Sequence, residues 1–155
     1  MRISLAAAVL VALMLPVLAG AKGPVSASIS GPGLDRYLTV SGDGEGPGSP
    51  LGNLAMASGF FPQTFGQTPD PTSRTRPAGS LGPRYRAVYA LPGPNGTDSR
   101  VVQLLYPYAK PTALSYMRPG QPFWDGDRTY GGWFRASKSL KRVLVRAGLS
   151  TQPSS

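Results

Sequence analysis

The stretch RYRAVYALPGPNGTDSRVVQLLYPYA, Arg84 to Ala109, constrains the fold more than any other part of the chain. Tyr85, Ala87, Tyr89 and Leu91 alternate with Arg84, Arg86, Val88 and Ala90, the period-two pattern of a strand with one buried face. Asn95-Gly96 sits in the connecting loop, where both residues tolerate positive φ, so the segment predicts a β-hairpin. Asn95-Gly96-Thr97 also matches an N-glycosylation acceptor, but a hairpin loop accounts for the same residues.

Upstream, VSASIS places Val25, Ala27 and Ile29 on one face and serines on the other, and RYLTVS reads as its pairing strand after the GPGLD turn. A glycine-rich loop, GDGEGPG, leads into SPLGNLAMASG. This segment carries helix punctuation: Ser49 as N-cap, Pro50 at the first helical position and Gly59 just past the end. Leu51, Leu54, Ala55 and Ser58 form its apolar stripe. Gly66–Pro83 contains four prolines and no apolar period, the composition of a long loop. TALSYM is a fifth strand candidate. The order of elements predicts an α+β fold, a mostly antiparallel sheet of about five strands packed by two helices.

Residues 1–21 read as a signal peptide. Arg2 precedes an apolar run from Ile3 to Ala21 that ends in Pro16 and the small triplet Ala19-Gly20-Ala21. The alternative is an uncleaved anchor, since such a run can just span a bilayer. In either case the remainder, Lys22–Ser155, is expected outside the cytoplasm as a single domain. Setting Arg2 aside leaves 15 basic residues against 7 acidic. That balance favours an anionic envelope polymer, a lipid surface or an acidic protein as partner, whereas an exported chain rarely meets nucleic acid. The absence of cysteine excludes a lipidated cysteine after the signal.

The chain also has no histidine. Histidine-based triads, cysteine nucleophiles and the common zinc and copper sites are thereby excluded, and no cofactor is implied. Carboxylate chemistry remains, through Asp125-Gly126-Asp127 or Asp43-Gly44-Glu45. Neither continues into a calcium-binding loop, because Ala136 and Leu54 stand where the closing glutamate belongs. Acidic residues flanked by glycine are commonly turn formers.

Two features are candidates for contact with a partner. Phe123, Trp124, Tyr130, Trp133 and Phe134 cluster within 12 residues. Gly131-Gly132 predicts a turn delivering Trp133 and Phe134 into the core, which leaves Trp124, Asp125, Asp127 and Arg128 as the candidate binding group. The second feature is the last helix. Ser137 is its expected N-cap and Gly148 its stop; Leu140, Val143, Leu144 and Ala147 form a stripe opposite Lys138, Lys141, Arg142 and Arg146. With Arg135 just before it, the expected basic face is a contact for an anionic surface, although a packed helix solvating its cations gives the same pattern.

With ISGPGL, FGQTPDP, LGPRYRAVYALPGPNG, LYPYA and RTYGGWFRA in view, the chain resembles small exported proteins of actinobacteria that have no assigned function. The Arg-, Gly-, Pro- and Ala-rich composition of a GC-rich genome agrees with such a source. The resemblance implies an extracytoplasmic single domain and transfers no site residue. The expectation is an exported, non-catalytic binding domain at or outside the cell envelope. The rivals are a carboxylate-dependent glycoside hydrolase using Asp125 and Asp127, and a purely structural envelope protein.

Overall fold

The computed structural model describes Gly23–Ser154; the expected signal segment lies outside these residues. The chain begins with strands β1 (Ser26–Ser30) and β2 (Leu38–Ser41), followed by helices α1 (Pro50–Ser58) and α2 (Phe60–Phe65). Strands β3 (Thr72–Ser73), β4 (Tyr85–Pro92), β5 (Asp98–Tyr106) and β6 (Leu114–Met117) come next. A small hairpin, β7 (Pro122–Phe123) with β8 (Asp127–Arg128), precedes β9 (Gly132–Arg135) and helix α3 (Ser139–Ala147). Seven strands form one sheet in the order β2-β1-β4-β5-β6-β9-β3, and every pair in it is antiparallel. The fold is α+β with a large antiparallel sheet, as expected. It has more elements than the sequence shows: α2, β3, β9 and the small hairpin lack a pattern of their own.

The β4–β5 hairpin is the centre of the sheet, in register from Tyr85↔Leu105 to Pro92↔Asp98. Its inward residues Tyr85, Ala87, Tyr89 and Leu91 are buried with Val101 and Leu105. The helices pack on this face, where Leu51, Leu54, Leu140 and Leu144 are fully buried. Burying each of those leucines contributes about 1.5–3 kcal/mol before the entropy of ordering it. Among the described residues no helix is long and apolar enough to cross a membrane.

Helix α1 forms as its punctuation dictates. Ser49 Oγ accepts the Gly52 N–H at 2.9 Å, and Gly59 ends the helix at φ 72°. Gly59 also opens α2, whose Pro62 lies in the first turn where no N–H is needed. A Cβ at Gly59 would fall on the Phe134 ring, so glycine is required twice over. Helix α3 starts later than expected. Its N-cap position is Lys138, with no side-chain cap, and Ser137 Oγ instead accepts the Ser139 N–H at 3.2 Å.

Beneath the α1–α2 junction lies a buried polar network. Gln103 Nε2 donates to the Ser58 carbonyl at 3.0 Å and to Gln63 Oε1, while Gln63 Nε2 donates to the Gly132 carbonyl at 2.8 Å. Tyr89 Oη donates to Gln103 Oε1 at 2.9 Å, and Ser115 Oγ donates to the Ser58 carbonyl at 2.6 Å. Every side chain in it is fully buried, and burial pushes the Tyr89 hydroxyl well above its ordinary pKa. Because each group is paired, the network ties the helices to four strands without a desolvation penalty left over.

The Pro-rich segment, residues 66–83, is ordered by specific contacts. Thr72 and Ser73 pair with Phe134 and Trp133 of β9, and Ser80 bridges Lys110. Asp70 accepts the Thr72 N–H and hydroxyl, both at 2.8 Å. The Tyr130 hydroxyl donates to Asp70 at 2.7 Å, and the Arg74 guanidinium lies 4.9 Å from the centre of the Tyr130 ring.

Candidate functional site

The structure separates the residues singled out from the sequence. Trp124 is an anchor at the tip of the β7–β8 hairpin. Its indole N–H donates to the Pro92 carbonyl at 3.0 Å, its backbone N–H donates to Ser99 Oγ at 2.9 Å, and its ring packs on Phe65 and Phe123. It holds a φ of 47°, a region costly for a bulky side chain, and these contacts maintain it. Asp125 and Asp127 are exposed on either side of Gly126. Asn95 Nδ2 donates to Asp125 at 3.2 Å, and Arg128 donates to the Gly120 carbonyl at 3.2 Å. The bonds of Trp124 to Pro92 and Ser99, and of Asp125 to Asn95, fasten the hairpin to the end of β4 and β5 and their connecting loop.

The basic group is also divided. Lys141 lies 5.1 Å from the centre of the Tyr108 ring, on one flank of α3. Arg142 and Arg146 lie on the other flank, along a groove between α1 and α3 that Asn53 and Val143 also line. Its two sections measure about 450 and 390 Å³. Lys138 is exposed at the start of the helix. Arg135 does not belong with them, because it lies beyond the sheet on the face that carries Trp133.

That position of Trp133 corrects the expectation that it enters the core with Phe134. Consecutive strand residues point to opposite faces. Phe134 therefore turns to the helices, over Gly59, and Trp133 turns away from them. There it packs with Tyr116 and Tyr106, at ring-centre distances of 4.8 and 5.8 Å. The apolar cluster on this side, Tyr106, Ala109 and Leu114 with Leu81, Leu104, Tyr116 and Trp133, includes no helical residue. The Pro-rich loop covers one end of it through Leu81, so Tyr106 and Leu114 are buried. Leu104, Tyr116 and Trp133 stay half-buried.

The register brings these residues into one row. Ser30 pairs with Arg86, Arg86 with Leu104, Leu104 with Tyr116, Tyr116 with Trp133, and Trp133 with Ser73. Two shallow hollows flank the Tyr116–Trp133 pair. One, about 270 Å³, is lined by Trp133, Arg135, Arg76 and Pro77. The other, about 280 Å³, is lined by Tyr116, Leu104, Val102 and Arg118. Arg84 approaches the Tyr106 hydroxyl, whose pKa burial raises and the guanidinium partly restores. Alternation from the paired positions also sends Arg100 outward. Among the described residues, Asp98, at the far end of β5, is the one carboxylate at the outward positions of the seven-stranded sheet.

This arrangement can bind rather than react. It presents planar apolar rings next to guanidinium groups that are permanently charged and shaped to hold carboxylate or phosphate oxygens in pairs. Sequence reasoning missed it. The available clue was arginine at outward positions of the hairpin, but the aromatic residues beside those arginines come from β6 and β9. Comparison with known proteins finds no match to a family model, to a curated protein or to a solved structure.

Proposed function

We propose that this is an exported binding domain, working at or outside the cell envelope, that holds an anionic partner against the uncovered face of its sheet. The observation that carries this reading is the half-exposed Tyr116–Trp133 pair standing between Arg118 and Arg135 on a face no helix covers. A sheet face with no partner ordinarily alternates to small polar residues, as Ser26, Ser28 and Ser30 do at one side of this sheet. Aromatic rings and arginines in those positions call for another explanation. The groove between α1 and α3 is larger and also carries two arginines, Arg142 and Arg146, but no aromatic ring lines it. The exposed Asp125 and Asp127 line none of these clefts, which weighs against a hydrolase using them.

The test is retention of the full chain on purified cell wall and on anionic liposomes at low and high salt, compared with two variants. In one, Arg118 and Arg135 become Gln; in the other, Arg142 and Arg146 become Gln. Retention that falls with salt and with the first pair alone supports the sheet face. Loss with the second pair alone moves the contact to the helix groove. No retention of the unmodified chain on any anionic material removes the proposal.

A further inference from the structure

We infer that the partner is an acidic glycan, a linear chain of sugar rings bearing carboxylates, laid across the strands along the Leu104–Tyr116–Trp133 row. This inference rests on the proposed binding face and names the chemistry that it selects. Charge alone would require only arginines. The face instead offers the same pair of features twice: a half-exposed ring beside a guanidinium, Trp133 with Arg135 in one hollow and Tyr116 with Arg118 in the other. An aromatic face suits the flat C–H surface of a sugar ring, while the adjacent guanidinium suits a carboxylate carried at that ring's rim. A uronate unit has both features in one residue.

The repetition defines the ligand as a polymer. The Tyr116 and Trp133 rings pack on one another across β6 and β9, 4.8 Å between centres, and the two hollows lie on opposite sides of this pair, one on its β5 side and one on its β3 side. A chain crossing the strands therefore meets the two hollows in succession. Other anionic partners use these features less well. An acidic peptide gains little from two shallow aromatic hollows, and a polymer of glycerol and phosphate has no ring to stack. A lipid surface needs apolar groups that protrude, whereas Tyr116 and Trp133 are only half-exposed and share their hollows with arginines.

Intrinsic fluorescence tests this directly, since Trp124 is fastened at the hairpin tip and Trp133 lies in the row. The full chain is titrated with an oligogalacturonate of six units, with a neutral glucan of the same length, and with a single-stranded oligothymidylate. The expected result is a saturable emission change with the oligogalacturonate, at least tenfold weaker binding of the neutral glucan, and loss of that emission change in Trp133→Phe. Arg118→Gln and Arg135→Gln, both at exposed positions, should each weaken binding by on the order of tenfold. Oligogalacturonate binding that depends on the arginines but leaves Trp133 emission unchanged would overturn the glycan assignment and leave the anionic contact standing. Equal or tighter binding of the oligothymidylate, with the same response, would reassign the row to stacked bases. Binding of none of the three, by a chain still retained on cell wall through Arg118 and Arg135, would overturn the glycan assignment alone.

Discussion

Gln121 pairs with Val102 as a strand would. Its Nε2 donates to the Val102 carbonyl at 2.8 Å and its Oε1 accepts the Val102 N–H at 2.9 Å. β6 ends opposite Gln103, so one side-chain amide continues the ladder by a residue and completes the floor of the hollow beside Tyr116. Gln121→Ala strands both backbone groups of a half-buried residue, with an expected cost of about 1–3 kcal/mol. Urea unfolding reads the loss, and faster hydrogen exchange at the Val102 amide locates it. An unchanged midpoint would mean that water replaces the amide without penalty.

The buried network predicts strong coupling between Gln63 and Gln103. Gln63→Leu leaves the Gly132 carbonyl and a Gln103 donor without a partner, and Gln103→Leu leaves Gln63 Oε1 and the Ser58 carbonyl each short of a donor. Each single change should cost about 1–3 kcal/mol or more, and the double variant less than the sum. Additive losses in a double-mutant cycle would show that the two amides act separately.

Gly59 is the joint between α1 and α2. Alanine there meets both an unfavourable positive φ and the Phe134 ring. Gly59→Ala should destabilise by more than ~2 kcal/mol, measured as a lower unfolding midpoint. Ala57→Gly in the preceding turn removes a largely buried methyl and some helix propensity, about 1–2 kcal/mol together, and introduces no clash, so it provides the comparison.

The order of the Pro-rich segment should depend on pH through Asp70 and Tyr130. The Tyr130 hydrogen bond, helped by those from Thr72, holds the Asp70 carboxyl below its ordinary pKa of 3.8. The folded form therefore favours the carboxylate; the resulting stability is full above that ordinary value and is lost as pH falls through the lower folded value. Conversely, Asp70 raises the Tyr130 pKa above its ordinary 10.0, chiefly through the same bond. That contribution is full below 10.0 and fades as pH rises through the folded value. Tyr130→Phe should move the Asp70 titration, followed by NMR, back toward 3.8. No movement would show that Thr72 and Arg74 set it without Tyr130.

How much of this was readable in the sequence depends on whether a feature is local. α1 carries its own cap, its first-turn proline and its terminating glycine, so Ser49, Pro50 and Gly59 define it correctly. The β4–β5 hairpin is equally explicit, because eight alternating residues have only one burial pattern that works. α2 escapes notice because Gly59 and Pro62 resemble the end of a helix when they also begin another. β9 is four residues long and begins on the second glycine of a pair, too short for a period to establish itself. Read as a turn, Gly131-Gly132 sends Trp133 inward; the strand that actually follows sends it outward and makes Trp124 the anchor. The candidate site is less local still. Arg86, Leu104, Tyr116 and Trp133 become neighbours only through the pairing of four strands, and no window of sequence contains them together.

The outermost strands of the sheet carry a further consequence. β3 is two residues long and closely followed by Pro77, and β2 is four residues long and followed directly by Gly42. Neither offers a long row of free backbone donors and acceptors for another molecule to extend. The sheet can therefore leave a broad, sticky face open without also offering a template for strand-by-strand polymerisation. Were the chain to bind a repetitive polymer as proposed, its copies would be crowded together, and the blunt margins would keep that crowd from becoming a fibre.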